Sequence, residues 1–327
     1  MSKAIFITGG AGYVGAVLVP RLLAEGYQVT VLDLMIYGDD AFPPHQNLRI
    51  VKGDIRDQQL LKSIIPGHDV VIHLACISND PSFELNPTLG RSINLDAFSP
   101  LVAVSKSVGV RRFVYASSSS VYGIKEEPNV HEGMSLEPLT DYSRFKADCE
   151  KILSDNQTTD FVGVTIRPAT VCGYSRRQRL DVVVNILTNL AYHKREISVF
   201  GGQQLRPNIN IEDMVESYLT VLRAPDEVIR DQIYNVGYEN QSVLALAETV
   251  RSVVGEDVRL VTVPTEDNRS YHISSEKIKR HLGFVAKRTI RDAVSDLLSA
   301  FERGLLPNSL SDERYFNIKR MQTIKLL

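Results

Sequence analysis

The sequence is poor in cysteine, in net charge and in long apolar runs, and each shortage closes off a class of protein. Its three cysteines, Cys76, Cys149 and Cys172, are odd in number and far apart. They fit neither a disulfide framework nor a zinc site, and they suit a reducing compartment. Lys and Arg total 37 against 39 Asp and Glu, a formal net charge of -2. That balance gives no reason to expect nucleic acid or an anionic membrane as partner. No apolar stretch is long enough to span a bilayer. Met1-Ser2-Lys3 runs directly into a strand pattern, without the charged and then apolar regions of a signal peptide, so a cytoplasmic chain is expected. What is left is a chain of 327 residues, 43% hydrophobic. That is enough for a large core, as two domains or as one with an appended part.

What is present is organised around Thr8-Gly9-Gly10-Ala11-Gly12-Tyr13-Val14-Gly15. The apolar run Ala4-Ile5-Phe6-Ile7 before it reads as a buried strand, and Ala16-Val17-Leu18-Val19 after it reads as a helix start. Glycines at 9, 12 and 15 thus fall in a strand–turn–helix context, which marks a phosphate-binding turn. Gly9 serves the tight turn, Gly12 the close approach of a pyrophosphate, and Gly15 the contact of helix with strand. The helix N-terminus then offers free N–H groups to negative charge. Residues 28–32 read as a second strand, closed by Asp33, eighteen positions beyond Gly15. A carboxylate there accepts hydrogen bonds from the adenosine ribose and repels a 2′-phosphate, which favours NAD over NADP. Pro20 breaks the pattern, because a proline inside the first helix removes a hydrogen bond and is expected to kink it.

Strand-like and helix-like stretches keep alternating. Residues 48–51 read as a third strand, after which Asp54 either meets the adenine amino group or caps the helix beginning near Asp57. Residues 69–74 form a buried-strand pattern ending at His73-Leu74-Ala75. A small residue there lets the nicotinamide half of a dinucleotide lie against the backbone, and His73 reads as a structural histidine. Asn94 starts an amphipathic helix running to about Ser107. A strand at 113–116 delivers Ser117-Ser118-Ser119-Ser120, hydroxyls placed at the C-terminal edge of the sheet, where ligands bind in open α/β folds. Tyr142 and Lys146, four apart, share one face of a helix for which Asp141 is the expected N-cap and Leu153 the approximate end. An ammonium near a phenol lowers its pKa toward a value useful for a base. The alternative is a surface tyrosine with a solvated lysine.

Taken together, these residues resemble the extended short-chain dehydrogenase/reductases, and among them the NAD-dependent sugar-nucleotide epimerases and dehydratases. The matching pieces are TGGAGYVG from Thr8, Asp33, GDIRD from Gly53, HLA from His73, Asn94, YASSSSVYG from Tyr115, YSRFK from Tyr142 and RPATVCG from Arg167. They stand in the family's order and spacing and cover nearly the whole chain. The resemblance implies a Rossmann-type, doubly wound parallel α/β sheet with a smaller C-terminal α/β substrate lobe. Residues 1–172 would form the NAD domain and 173–327 mostly the lobe, with some segments packing back on the first domain. It implies Ser118, Tyr142 and Lys146 as catalytic residues. The cofactor would lie against Gly9, Gly12, Tyr13, Val14, Gly15, Asp33, Asp54, Ile55, Leu74, Ala75, Asn94, Tyr142, Lys146 and Pro168.

By the same resemblance a nucleotide-diphosphate sugar is the substrate. The basic loop 173–179 and Asn185 would hold its diphosphate, and the substrate set is Ser119, Thr170, Arg179, Asn185, Arg206 and Arg269. No metal is implied. A homodimer is implied, through the helices near 94–107 and 142–153 pairing about a two-fold axis. The expected reaction is epimerisation at C4, by oxidation to a 4-keto intermediate and re-reduction on the other face. The alternative is a 4-dehydrogenase that releases the ketone. Ser119 and Ser120 stand where the family's dehydratases carry Asp-Glu, which argues against a 4,6-dehydratase. A non-catalytic NAD-binding relative would lack Tyr142 or Lys146, and both are here. Thr170 and Asn210 replace an Asn and a His found in many relatives. The tail from Asp312 onward has no assigned role.

Overall fold

The apolar runs that alternate with amphipathic stretches are buried on both faces, which is the signature of a parallel sheet covered by helices on either side. The computed structural model describes residues 3–78, 80–127, 129–265, 270 and 272–324. Its main sheet has seven strands. These are β1 (Ala4–Thr8), β2 (Gln28–Asp33), β3 (Leu48–Lys52), β4 (Val70–His73), β5 (Arg112–Ala116), β6 (Val162–Pro168) and β10 (Gln232–Val236). All pair in parallel, in the order β10-β6-β5-β4-β1-β2-β3. The order reverses between β1 and β4, and the crevice beyond the strand ends at such a reversal is where this architecture binds ligands. The fold is thus the doubly wound α/β type that the alternation predicts.

A smaller lobe follows. Strands β7 (Thr170–Cys172), β9 (Leu205–Asn210) and β11 (Glu239–Ser242) form one sheet, and β8 (Glu196–Phe200) pairs with β12 (Arg259–Val263) in another. Helices Val183–Lys194, Val243–Val254 and Ile290–Glu302 pack around Leu187, Ala191, Leu246 and Val294 to give the lobe its own core. The chain does not stay there, since β10 returns to the main sheet. The helix Ile211–Arg223 lies on the helix Gly15–Ala24, where Arg21 pairs with Glu212 at 3.0 Å and Glu216 at 3.2 Å. Among the described residues no helix is long and apolar enough to cross a membrane.

Three local details differ from the sequence pattern. Thr140, not Asp141, caps the helix Asp141–Asp155: its hydroxyl accepts from the Ser143 N–H while the Ser143 hydroxyl accepts from the Thr140 N–H. Asp141 takes the first helical position, where its charge still favours the helix N-terminus. Asn94 does not start a helix. Helical turns already run from Pro87, and Asn94 sits in a π-turn, Ser92–Asp96, ahead of the helix Phe98–Ser107. Its amide is used on the Ile77 backbone, accepting from N–H at 2.8 Å and donating to the carbonyl at 2.9 Å. Pro20 lies on the exposed side of the helix Gly15–Ala24, which continues through it.

The tail crosses between the lobes. A short turn, Glu313–Tyr315, leads to the helix Asn317–Ile324, whose Met321 packs in the same apolar cluster as Phe83 and Phe98. Arg320 donates from Nε to the Ile36 carbonyl in the loop after β2.

Candidate active site

The site is assembled by strand ends. Gly9 follows β1 with φ of +70°, and a Cβ there would lie 2.5 Å from Ala75 backbone atoms. A Cβ on Gly15 would come within 2.1 Å of the Gly10 carbonyl oxygen. Protein closes over both positions. Gly12 differs, because its nearest neighbour would be the Gly9 carbonyl oxygen at 3.1 Å and nothing else within 4 Å. Its open side belongs to a cavity of about 500 Å³ that runs across the C-terminal ends of the strands. The turn therefore has the cradle that a bound diphosphate needs, with backbone N–H groups and no side chain in the way.

Asp33 is fixed between the turn and the next loop. Its Oδ2 accepts from the Ala11 N–H at 3.0 Å and its Oδ1 from the Met35 N–H at 2.8 Å. Burial pushes its pKa up, against those two bonds and the charge of Arg177. Further along the cavity, Asp54 is held below the usual carboxylate range: burial works against this, but hydrogen bonds and the charge of Arg56 prevail. The helix Gln58–Ile64 is capped by Asp57, which accepts from the Gln59 and Leu60 N–H groups. Asp54 thus faces the cavity instead. Val14, Ile55, Leu74, Ala75 and Pro168 line the same space.

Strand β5 delivers Ser118 and the helix Asp141–Asp155 delivers Tyr142 and Lys146, and all three meet on the cavity wall. The Ser118 hydroxyl stands beside the Tyr142 phenol, where it favours the ionised form. It also pairs with the Ser120 hydroxyl at 2.8 Å. Lys146 is buried, donates from Nζ to the Ala116 carbonyl at 2.6 Å, and lies 5.8 Å from the centre of the Tyr142 ring. The expected lowering of the phenol pKa by this ammonium is not what the structure shows. Burial pushes Tyr142 well above the usual phenol range, with Cys76 and Asp80 adding to the rise, while Arg179 and the Ser118 hydroxyl oppose it. Desolvation outweighs the ammonium, which the Ala116 carbonyl holds.

Beneath this group runs a buried network. The Ser117 hydroxyl donates to Glu150, whose carboxylate pairs with Arg167 at 2.6 Å, both side chains being at most 5% exposed. Arg167 also donates to the Tyr122 hydroxyl at 2.7 Å, which donates to Asn235. β5, β6, β10 and the Tyr142 helix are thereby tied together. His73 is structural: it shares a 2.7 Å hydrogen bond with Thr8, packs among Phe98, Phe113 and Tyr115, and is pushed down to about 3 by burial, so it is neutral.

Ser119, Thr170, Arg179 and Arg206 all line the cavity. Asn185 does not. It stands behind the wall, donating to the Tyr13 hydroxyl at 2.9 Å and to the Arg179 carbonyl at 2.8 Å while accepting from the Gly173 N–H at 3.0 Å. Asn94 is likewise behind the wall, holding Ile77. Arg269 lies outside the described residues. The cavity also takes in Tyr37, Ser78 and Asn317, none of them singled out by the sequence, and Arg177 of the basic loop 173–179. Arg177 was visible only as one of a basic run. Asn317 carries no signal at all, since its partner Ser78 is 239 positions away. Among the described residues no group of three or more His, Cys, Asp or Glu could hold a metal ion.

Comparison with known proteins bears on this geometry. The model of the NAD dependent epimerase/dehydratase family matches residues 5–237. A UDP-glucose 4-epimerase of Streptomyces lividans is 28% identical over 316 residues, spanning 90% of this chain and 95% of that one. The UDP-glucose 4-epimerase of Thermotoga maritima, solved with UDP-glucose, superposes with a TM-score of 0.85 at 23% identity, covering 93% of this chain and 100% of that one. A dTDP-glucose 4,6-dehydratase of Streptomyces venezuelae, solved with NAD, gives 0.84 at 23%, covering 94% and 100%. At those identities the two structures speak for the fold, which epimerases and dehydratases share. The family match spans the glycine turn, Asp33 and the Ser118–Tyr142–Lys146 group, and these fit the cofactor that the family uses. The chain belongs to the NAD dependent epimerase/dehydratase family and is an NAD-dependent enzyme of the extended short-chain dehydrogenase/reductase type.

Proposed function

We propose that this enzyme is a nucleotide-sugar epimerase acting at C4 of the sugar. The observation that carries the reading is that Ser118, Tyr142 and Lys146 meet on one wall of the cavity that Gly12 opens, with the Lys146 ammonium 5.8 Å from the centre of the Tyr142 ring. The turn Gly9–Gly15 and Asp33, Asp54, Ile55, Leu74, Ala75 and Pro168 would hold NAD. When bound, NAD supplies a hydride acceptor that can return the hydride to the same carbon. As the phenolate, its own proton having first left to solvent against the effect of burial, Tyr142 takes the proton of the C4 hydroxyl at Oη and gives it back when the carbonyl is reduced. Ser118 donates a hydrogen bond from Oγ to the same oxygen. The Lys146 side chain, 5.8 Å from the centre of the Tyr142 ring, lies where a cation favours the phenolate. Arg206, on the lobe side of the cavity, suits one end of a nucleotide diphosphate.

Ser119 and Ser120 carry no acid that could assist loss of water, which disfavours dehydration. UDP-sugars head the substrate classes to test, because two of the three relatives named above are UDP-glucose 4-epimerases. The helices Phe98–Ser107 and Asp141–Asp155 are the proposed faces of a homodimer, expected as twice the chain mass in light scattering at micromolar concentration; a monomer mass there contradicts it. The free cysteines suit a cytoplasmic setting. The catalytic assignment is tested with Tyr142→Phe and Lys146→Met on UDP-galactose. Loss of turnover with NAD still bound supports the reading, and unchanged turnover in Tyr142→Phe overturns it.

A further inference from the structure

Two arginines from the lobe enter the cavity with guanidinium nitrogens to spare. Their loop, 173–181, is seated on the glycine turn. The Tyr13 hydroxyl donates to the Gly173 carbonyl at 2.7 Å, and the Ser175 hydroxyl donates to the Tyr13 carbonyl at 2.8 Å. From this loop Arg177 and Arg179 reach the space that Gly12 and Asp33 also line. Arg177 is only 8% exposed. Its guanidinium carbon lies 3.5 Å from the centre of the Tyr37 ring, and one terminal nitrogen donates to the Asn317 side-chain carbonyl at 2.9 Å. Its Nε is buried without a partner. Among the described residues no carboxylate is in ion-pair contact with Arg177. Arg179 pairs with Asp181 through Nε at 2.5 Å and donates to the Ser78 hydroxyl at 3.0 Å, while its Nη2 is buried without a partner.

A guanidinium taken out of water without a carboxylate is costly, and a bound anion is the group that offsets the cost. Planar, forked donors suit a diphosphate in particular. The position narrows the choice of diphosphate. Arg177 stacks on Tyr37 in the loop after Asp33, and both arginines line the one cavity with Asp33, Gly12, Tyr13 and Tyr142. The pair therefore spans from the ribose-side carboxylate to the reacting hydroxyl, alongside the turn. The tail holds the pair there. Besides accepting from Arg177, Asn317 donates from its amide to Ser78 at 3.0 Å and from its backbone to Asp181 at 2.8 Å. It thus touches Arg177 itself and both partners of Arg179.

We propose that Arg177 and Arg179 form a second clamp on the diphosphate of the dinucleotide, supplied by the lobe, with Asn317 of the C-terminal tail as its positioning residue. The inference rests on the cofactor cleft assigned above. A nucleotide-sugar carries the same diphosphate chemistry, so the test separates the two sources.

Calorimetric titration of the nucleotide-free, full-length chain with adenosine, ADP-ribose, NAD and UDP reads it out. Arg177→Gln and Arg179→Gln are expected to weaken ADP-ribose and NAD by about tenfold or more each. They should leave adenosine and UDP unchanged. Arg177→Lys, which keeps the charge without the fork, is expected to lose less. Asn317→Ala is expected to weaken the same two ligands and spare the same two. Melting curves establish that each variant is folded; should Arg177→Gln not fold, Arg179→Gln and Asn317→Ala carry the test. NAD affinity within twofold of the wild type in the folded variants would overturn the clamp. So would a loss confined to UDP, which assigns the arginines to the substrate. A wild-type chain that binds UDP but neither ADP-ribose nor NAD would overturn the cofactor cleft and the clamp with it.

Discussion

At the scale of single residues, three groups whose environment sets their charge lead to separate predictions. In the proposed mechanism Tyr142 is the acid–base group, and because burial pushes its pKa up, its action depends on the groups that surround its oxygen. Tyr142→Phe removes the acceptor without removing the ring, and turnover is expected to fall by on the order of 10²–10⁴ with little change in melting temperature. Asp33 lines the cavity and is proposed to meet the adenosine ribose, where its carboxylate would repel a 2′-phosphate. NAD is therefore expected to bind far more tightly than NADP, and equal affinities in a titration would refute that role. His73 belongs to stability. Its folded pKa, about 3, lies below its ordinary 6.5, so the unfolded chain binds the extra proton between those values. The contribution is complete above about pH 6.5 and is lost as pH falls toward 3, at about 1.4 kcal/mol per unit. Urea unfolding should show lower stability at pH 5 than at pH 7, with a smaller difference in His73→Gln. An equal difference in both would assign the effect to other groups.

At the scale of elements, the strands and the glycine turn were legible because each depends on local pattern. A short apolar run bounded by turn residues suits a buried strand, and three glycines between strand and helix suit a phosphate-binding turn. The structure adds which glycine does what. Gly12→Ala is expected to fold normally and lose NAD affinity, since its Cβ would enter the cavity. Gly15→Ala is expected to lower the melting temperature, since its Cβ would strike the Gly10 carbonyl. A melt of both variants with and without NAD separates these outcomes. Helix ends were less legible, because Thr140 and Asp141 are both good capping residues and only the reciprocal bond with Ser143 decides between them. Asn94 misled for a related reason: its amide serves the Ile77 backbone, a tertiary contact, and not a helix start. The Glu150–Arg167 pair shows what no local pattern carries, two charges buried together between the Tyr142 helix and β6. Glu150→Gln should cost about 3 kcal/mol or more in unfolding free energy, because Arg167 would stay buried without its partner. A loss below about 1 kcal/mol would mean that the network relaxes.

At the scale of the whole molecule, the cavity is a joint product of both lobes and the tail. The main sheet supplies the glycine turn, Asp33 and the Ser118 group, while the lobe supplies Thr170, Arg206 and the arginines of loop 173–181. The tail adds Asn317. The sheet's share was open to sequence reading and the tail's was not, since contacts across 239 positions leave no periodic trace. Asn185 and Asn94 were placed at the site by motif, yet they work one layer behind it, because position in a motif does not say which way an amide points. The central claim concerns the reaction, and product analysis tests it most directly. The wild-type enzyme is incubated with UDP-, GDP-, CDP- and dTDP-sugars, products are identified by NMR, and absorbance is followed at the NADH band. The account predicts a C4 epimer of at least one of these sugars with no net NADH. A 4-keto product released with stoichiometric NADH would contradict it and make the enzyme a 4-dehydrogenase.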